Sequence, residues 1–220
     1  MQCIKDTIKN INIVIGCNIG CSYCYARMNN NRFHTIDDFN KPVFFENKLK
    51  MLDNKRHTAY LLTGQSDLSG WNEEWKDKVF SKMKENENTQ YIFLTKRPEN
   101  IKLKETPDNG WFGVTVTSSK EKTRIDYLRN NIKAKHYHIT FEPMFDDVGK
   151  LDLSNISWIV IGTETGNRKG KISSKREWVF NIYNQAKEKN IPVFMKEDLL
   201  GILNEDEFVQ EFPKEFGGIK

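Results

Sequence analysis

The run Trp158-Ile159-Val160-Ile161-Gly162-Thr163-Glu164-Thr165-Gly166 carries the pattern on which the fold turns: unbroken apolar residues, then a polar tail that opens on glycine. A strand with one wet face alternates apolar and polar residues, whereas a strand covered on both faces reads as a continuous apolar run. Comparable runs recur at Ile11 to Ile15, Thr58 to Thr63, Tyr91 to Thr95, Trp111 to Val116, His136 to Phe141 and Ile191 to Met195. Together they predict a parallel sheet buried on both sides. Between them lie segments of helical spacing, such as Trp71, Trp75, Val79 and Met83, or Ile125, Leu128 and Ile132. Ser118-x-x-Glu121 and Ser174-x-x-Glu177 have the capping-box pattern of helix starts.

This alternation predicts α/β architecture. Seven strands in 220 residues fall short of a closed eight-stranded barrel, which takes ~250 residues, so the expected fold is a partial, open βα barrel. No linker-like composition divides the chain, and 38% hydrophobic residues suffice for one core. Residues 1–220 are therefore read as one domain, with 204–220 as a C-terminal capping segment that carries Phe208, Phe212 and Phe216 around Pro213. Trp71, Trp75, Trp158 and Trp178 are expected in the core. His136 and His138 share one strand face and are read as packed or solvent-facing.

The net charge of +4 comes largely from lysine, without the clustered arginines and aromatics of a nucleic-acid footprint. One local exception is Arg168, Lys169, Lys171, Lys175 and Arg176, five cations in nine residues. No apolar run approaches the ~20 residues of a membrane span, and no charged leader precedes an apolar stretch, which predicts a cytoplasmic protein without a membrane partner. Cysteines in that compartment stay reduced, so a tight group of them points to metal binding or catalysis rather than disulfides.

Such a group exists. Cys17-Asn18-Ile19-Gly20-Cys21-Ser22-Tyr23-Cys24 places three of the four cysteines within eight residues, directly after Ile11 to Ile15. A closed zinc site wants four ligands, which Cys3 or His34 would have to complete, whereas three cysteines on an iron–sulfur cube leave one iron open. Parallel βα folds collect reactive residues at the carboxyl ends of strands. The tails there are Thr63-Gly64-Gln65-Ser66-Asp67, Thr95-Lys96-Arg97-Pro98, Thr115 with Thr117, Glu142-Pro143-Met144, Gly162-Thr163-Glu164-Thr165-Gly166 and Lys196-Glu197-Asp198. Glu142 and Lys196 could instead simply form an ion pair across the barrel mouth.

Cys17-x3-Cys21-x2-Cys24, with Tyr23 before the last cysteine, resembles the signature of the radical S-adenosylmethionine enzymes. That resemblance implies that Cys17, Cys21 and Cys24 hold a [4Fe-4S] cluster whose open iron takes the amino and carboxylate groups of S-adenosylmethionine, and that the backbone near Tyr23 faces the adenine. Thr63-Gly64-Gln65 stands where the family has Gly-Gly-Glu, with Thr63 for glycine and Gln65 for glutamate. Ser66, Thr95 and Thr115 are expected beside the same cofactor. The likeness extends over nearly the whole chain to a short phage-protein branch, through Ser66-Asp67-Leu68, Leu94-Thr95-Lys96-Arg97-Pro98, Gly113-Val114-Thr115-Val116, Phe141-Glu142-Pro143-Met144, Trp158 to Gly166 and Phe194-Met195-Lys196-Glu197-Asp198.

The implied activity is reductive cleavage of S-adenosylmethionine, with the electron from a flavodoxin or ferredoxin, followed by hydrogen abstraction from a small substrate. Similarity to an enzyme of queuosine salvage implies a 7-deazaguanine base as substrate and a carbon–nitrogen lyase reaction. Glu142, Glu164 or Asp198 could then accept the paired donors of the base edge. Lys196 or Arg97 could donate to its oxygens, and Asp67 is expected on the substrate side. Glu142, Glu164 and Lys196 are the candidate catalytic groups. The rival expectation is a modification or repair enzyme acting on tRNA or DNA, or a non-catalytic iron–sulfur nucleic-acid-binding protein, and the basic run at 168–176 is the feature in its favour.

Overall fold

The computed structural model describes residues 2–54 and 58–217. In chain order its main elements are α1 (Ile4–Thr7), β1 (Ile8–Asn10), β2 (Val14–Ile15), α2 (Tyr25–Phe33), β3 (Val43–Phe44), β4 (Ala59–Leu61), α3 (Glu73–Glu85), β5 (Gln90–Thr95), β6 (Gly110–Thr115), α4 (Thr123–Asn131), β7 (His136–Phe141), β8 (Ile156–Ile161), α5 (Arg176–Glu188) and β9 (Val193–Met195). Seven strands form one sheet in the order β1-β4-β5-β6-β7-β8-β9, every neighbouring pair parallel. The sheet curls into an open half-barrel.

Side-chain parity divides it into two faces. Tyr60, Phe93, Phe112, Val114, Ile139, Phe141, Ile159 and Ile161 point outward, where Val79 and Met83 of α3, Leu128 of α4, and Val179 and Ile182 of α5 cover them in the main core. The alternate residues Ile8, Ala59, Ile92, Trp111, Trp158, Val160 and Phe194 line the inner face. This double coverage is why the strands read as continuous apolar runs. Phe216 enters from the C-terminal segment, its ring centroid 4.8 Å from Trp111 and 5.3 Å from Trp158. Thr58 Oγ1 donates to the Phe216 carbonyl oxygen at 2.5 Å, so the aromatic floor lies at the N-terminal ends of the strands. Residues 218–220 of the expected capping segment lie outside the described residues.

The first strand is not where the apolar run predicts it. Ile11 to Ile15 leaves the main sheet: β1 is Ile8–Asn10, and only Val14 and Ile15 extend, pairing antiparallel with Phe44 and Val43 in a separate two-stranded piece. Ile11, Ile13 and Val14 remain fully buried, so the run records burial rather than sheet membership. Both predicted capping boxes are absent. Glu121 accepts instead from the Thr117 N–H and hydroxyl, both at 2.7 Å, one position upstream of Ser118. Ser174 gives its hydroxyl to Thr163, leaving Lys175 as the N-cap of α5 without a side-chain bond. A capping box does occur at Asn204 and Glu207.

The sheet edges β1 and β9 do not pair with each other. The segment 209–211 runs antiparallel along β9, with Met195 N–H to Val209 O and Glu211 N–H to Val193 O at 2.8 Å each. Gln2 clasps that segment through two bonds with Gln210, at 2.7 and 2.9 Å. Among the described residues no helix is long and apolar enough to cross a membrane.

Candidate functional site

The cysteine loop leaves β2 through Gly16, whose φ of +114° suits glycine and whose Cα packs so closely on Pro42 that a Cβ would fall 2.9 Å from its backbone. Gly16 N–H bonds to Gln65 O at 3.0 Å, which ties the loop to the tail of β4. Cys17 N–H bonds to Phe39 O at 2.7 Å, and the Arg27 guanidinium donates to Cys17 O at 2.8 Å while lying 5.0 Å over the Phe39 ring. Cys24 is the N-cap of α2, its sulfur accepting from Arg27 N–H at 3.4 Å. A small core of Ile15, Ala26, Ile36 and Phe39 supports the loop apart from the barrel. Tyr23 packs edge-on to Phe145 at 5.5 Å, with Lys96 Nζ 5.7 Å from its ring centroid.

All four cysteines are free thiols. Among the described residues no three His, Cys, Asp or Glu side chains converge closely enough to hold one metal ion. Cys17, Cys21 and Cys24 are the soft donors of this loop that could take part in holding a metal group.

The predicted rim residues separate by parity. Thr63, Thr115, Glu142 and Lys196 continue the inner face, Asp198 joins them from the turn after β9, and Thr63 Oγ1 accepts from Leu94 N–H at 2.7 Å. Thr95 instead follows Tyr91 and Phe93 to the helix side, where its hydroxyl donates to Asp67 Oδ1 at 2.7 Å. Asp67 also accepts from Ser69 N–H, the Ser69 hydroxyl and Lys96 N–H, so both carboxylate oxygens serve the scaffold. Ser66 Oγ accepts from Trp71 Nε1 at 3.0 Å. Arg97 N–H bonds to Thr95 Oγ1, and Gln65 contributes its carbonyl to the cysteine loop.

Glu142, Lys196 and Asp198 meet around Gly162. A Cβ on that glycine would lie 3.1 Å from Lys196 Cδ, 3.2 Å from Asp198 Oδ1 and 3.2 Å from Glu142 Cδ, so the missing side chain makes room for the cluster. Lys196 Nζ bonds to Glu142 Oε1 and lies 3.4 Å from Asp198 Oδ2, while Asp198 Oδ1 accepts from Thr163 N–H at 3.1 Å. Glu164 is directed elsewhere: both of its oxygens bind Arg168, at 2.5 and 2.8 Å, and Ile172 N–H approaches at 3.4 Å. It anchors the basic loop instead of presenting an open carboxylate.

A model of the family described as "Protein of unknown function (DUF5131)" matches residues 2–217. The chain belongs to the DUF5131 family. The match takes in the half-barrel, the cysteine loop and the C-terminal segment alike. No curated protein and no solved structure matches this DUF5131 chain.

Electrostatics sort the roles that the DUF5131 site can fill. Burial works against the Lys196 charge, but the carboxylates of Glu142 and Asp198 outweigh it and hold the pKa above the usual lysine value. Lys196 is thus a fixed cation and a donor. Burial, aided by Glu142, raises Asp198 above the ordinary carboxylate range despite Lys196. The Arg168 hydrogen bond lowers Glu164. Burial pushes the Cys17 thiol up to about 11, which favours the neutral thiol in the chain by itself. The sequence reading passed over Tyr25, whose hydroxyl donates to Gly64 O at 2.5 Å. Its signal is an aromatic directly after the last loop cysteine, on a helix face that also exposes Met28.

Proposed function

We propose that this chain is a radical S-adenosylmethionine enzyme acting on a small polar substrate, with queuine lyase as the best-fitting activity. One observation carries the reading. Three free thiols, Cys17, Cys21 and Cys24, sit on a loop bonded to the tail of β4 at the carboxyl-end rim of a parallel half-barrel, the rim that also carries the Glu142–Lys196–Asp198 cluster. Cys17, Cys21 and Cys24 would hold a [4Fe-4S] cluster, and Tyr23, Gly64, Gln65 and Thr115 would border S-adenosylmethionine. When bound, that pair supplies reductive sulfonium cleavage and hydrogen abstraction, using an electron from a flavodoxin or ferredoxin.

The chain's own residues bind and orient. Two carboxylates against one ammonium leave the Gly162 cluster with one negative charge, which suits a substrate carrying a protonated amine. The remaining carboxylate lone pairs accept ring N–H donors, and Lys196, held protonated, donates to a carbonyl or diol oxygen. Queuine presents all three groups: a secondary amine, a base edge and a cyclopentenediol. Carbon–nitrogen cleavage would part 7-aminomethyl-7-deazaguanine from the cyclopentene fragment, with Glu142 and Asp198 holding the departing amine.

Anaerobic reconstitution followed by dithionite, S-adenosylmethionine and queuine tests this. The expected result is about four irons per chain, 5′-deoxyadenosine, and 7-aminomethyl-7-deazaguanine in equal amount. 5′-Deoxyadenosine without the base would refute the substrate, and no iron uptake would refute the class. Alanine at Cys17, Cys21 or Cys24 should abolish cluster absorbance while Cys3→Ala keeps it.

A polymer substrate has one observation behind it: Lys169 and Lys171 on the basic loop are exposed and make no ion pair among the described residues. Retention on immobilised tRNA that falls steeply with salt would favour it.

A further inference from the structure

Three hydrogen-bonding side chains stand at alternate positions down the inner face of β7: Glu142 just past its end, then Thr140, then His138. The His138 ring lies 5.9 Å from that of Trp158, a member of the inner-face cluster, which fixes the direction of the column. Glu142 is partnered by Lys196. The two below it are not satisfied. Thr140 is 7% exposed, yet among the described residues its hydroxyl makes no hydrogen bond, and His138 Nδ1 is buried without a partner. Of the other buried threonines at this rim, Thr63, Thr95, Thr117 and Thr163 are all bonded inside the protein, and only Thr115, in register with Thr140, shares its condition. Buried polar side chains are nearly always paired, because an unpaired one destabilises the fold.

Thr140 is flanked in the sheet by Thr115 on β6 and Val160 on β8, so its surroundings are uncharged, hydroxyl on one side and hydrocarbon on the other. It lies two residues, about 6–7 Å along the strand, below Glu142. We infer that Thr140 is a substrate-binding residue: its spare hydroxyl takes an alcohol group borne on a carbon ring, while the amine of the same molecule is held above it at Glu142 and Asp198. A threonine hydroxyl both donates and accepts, as does the alcohol it would meet, and an ion would find no opposite charge beside it. The inference rests on the proposed function in taking the inner rim as the substrate site. It assigns the diol end of queuine to Thr140, leaves Lys196 for the carbonyl of the base, and leaves Thr115 with the cofactor.

The ligand-free chain tests whether the hydroxyl is spare. Thr140→Val keeps the shape and removes the oxygen, so its urea midpoint should rise above the wild type's at unchanged m-value, a methyl replacing a buried hydroxyl without a partner. A midpoint that stays or falls means that the hydroxyl serves the fold or an ordered water, and overturns the inference. Binding is read by calorimetry on the reconstituted full chain with S-adenosylmethionine and no reductant. The two probes are queuine and 7-aminomethyl-7-deazaguanine, which has the base and an amine but no diol. Thr140→Val should weaken queuine about three- to tenfold and leave the diol-free base unchanged, while Thr140→Ser keeps most of the queuine affinity. Equal effects on the two probes, or none on queuine, overturn the inference. A wild-type protein that binds neither probe refutes the queuine reading instead, and the midpoint comparison still decides Thr140.

Discussion

His138 shows how much one residue on the inner face can depend on its neighbours. It is fully buried, its Nε2 donates to Phe93 O at 3.1 Å, and burial lowers its pKa from 6.5 to about 4. Between those values the unfolded chain binds a proton that the folded chain refuses, so stability falls as the pH drops from 6.5 toward 4. The shift corresponds to about 3 kcal/mol in all. Urea denaturation between pH 7 and 4 should show that loss in the wild type and a flatter profile in His138→Phe. A parallel slope in both proteins would contradict the assignment. Sequence reading placed His136 and His138 on one strand face but did not settle whether they were packed or wet. The deciding residue is Gly113 on the adjacent strand, where a Cβ would fall 2.4 Å from the His138 ring. Such a contact between residues distant in sequence has no local pattern. Gly113→Ala should therefore cost about 1–3 kcal/mol by overpacking. His138→Ala in the same chain should recover part of that, as a double-mutant cycle would measure.

At the scale of elements, strand positions were legible wherever burial and sheet membership coincided, as in β7, and misleading at Ile11 to Ile15, where burial came from the small core and the barrel together. The site followed the same rule. Parity along β7, β8 and β9 brings Glu142, Gly162 and Lys196 together, and apolar runs ending in polar tails announce that arrangement. Nothing local in the sequence shows that Glu164 pairs with Arg168 or that Asp67 is filled by Ser69, Thr95 and Lys96, because those bonds depend on how loops fold back. The basic loop is consequently an element with a fixed base, held by Glu164 at one side and by Ser174 on Thr163 at the other. Glu164→Ala should free it, and trypsin should then cut after Lys169 and Lys171 several-fold faster than in the wild type under native conditions, since cleavage tracks the open population. An unchanged digestion rate would mean that the pair does not hold the loop.

For the molecule as a whole, the C-terminal segment is as much a part of the barrel as any strand. Phe212 and Phe216 pack with Trp111, Trp158 and Phe194 on the inner face, and residues 209–211 cover the β9 edge. Phe216→Ala should cost about 3–5 kcal/mol, the range for removing a fully buried phenylalanine, as read from the denaturation midpoint at unchanged m-value. A cost within about 0.5 kcal/mol, the range of surface substitutions, would show that the segment only decorates the sheet.

That aromatic floor also gives the half-barrel a polarity. Five large rings pack together toward the N-terminal ends of the strands, and Gln2 joins Gln210 beside β9. The apolar and the polar residues of the inner face are thus sorted to opposite ends, and a ligand of mixed character would find only the polar end, beside the cysteine loop, unfilled by these rings.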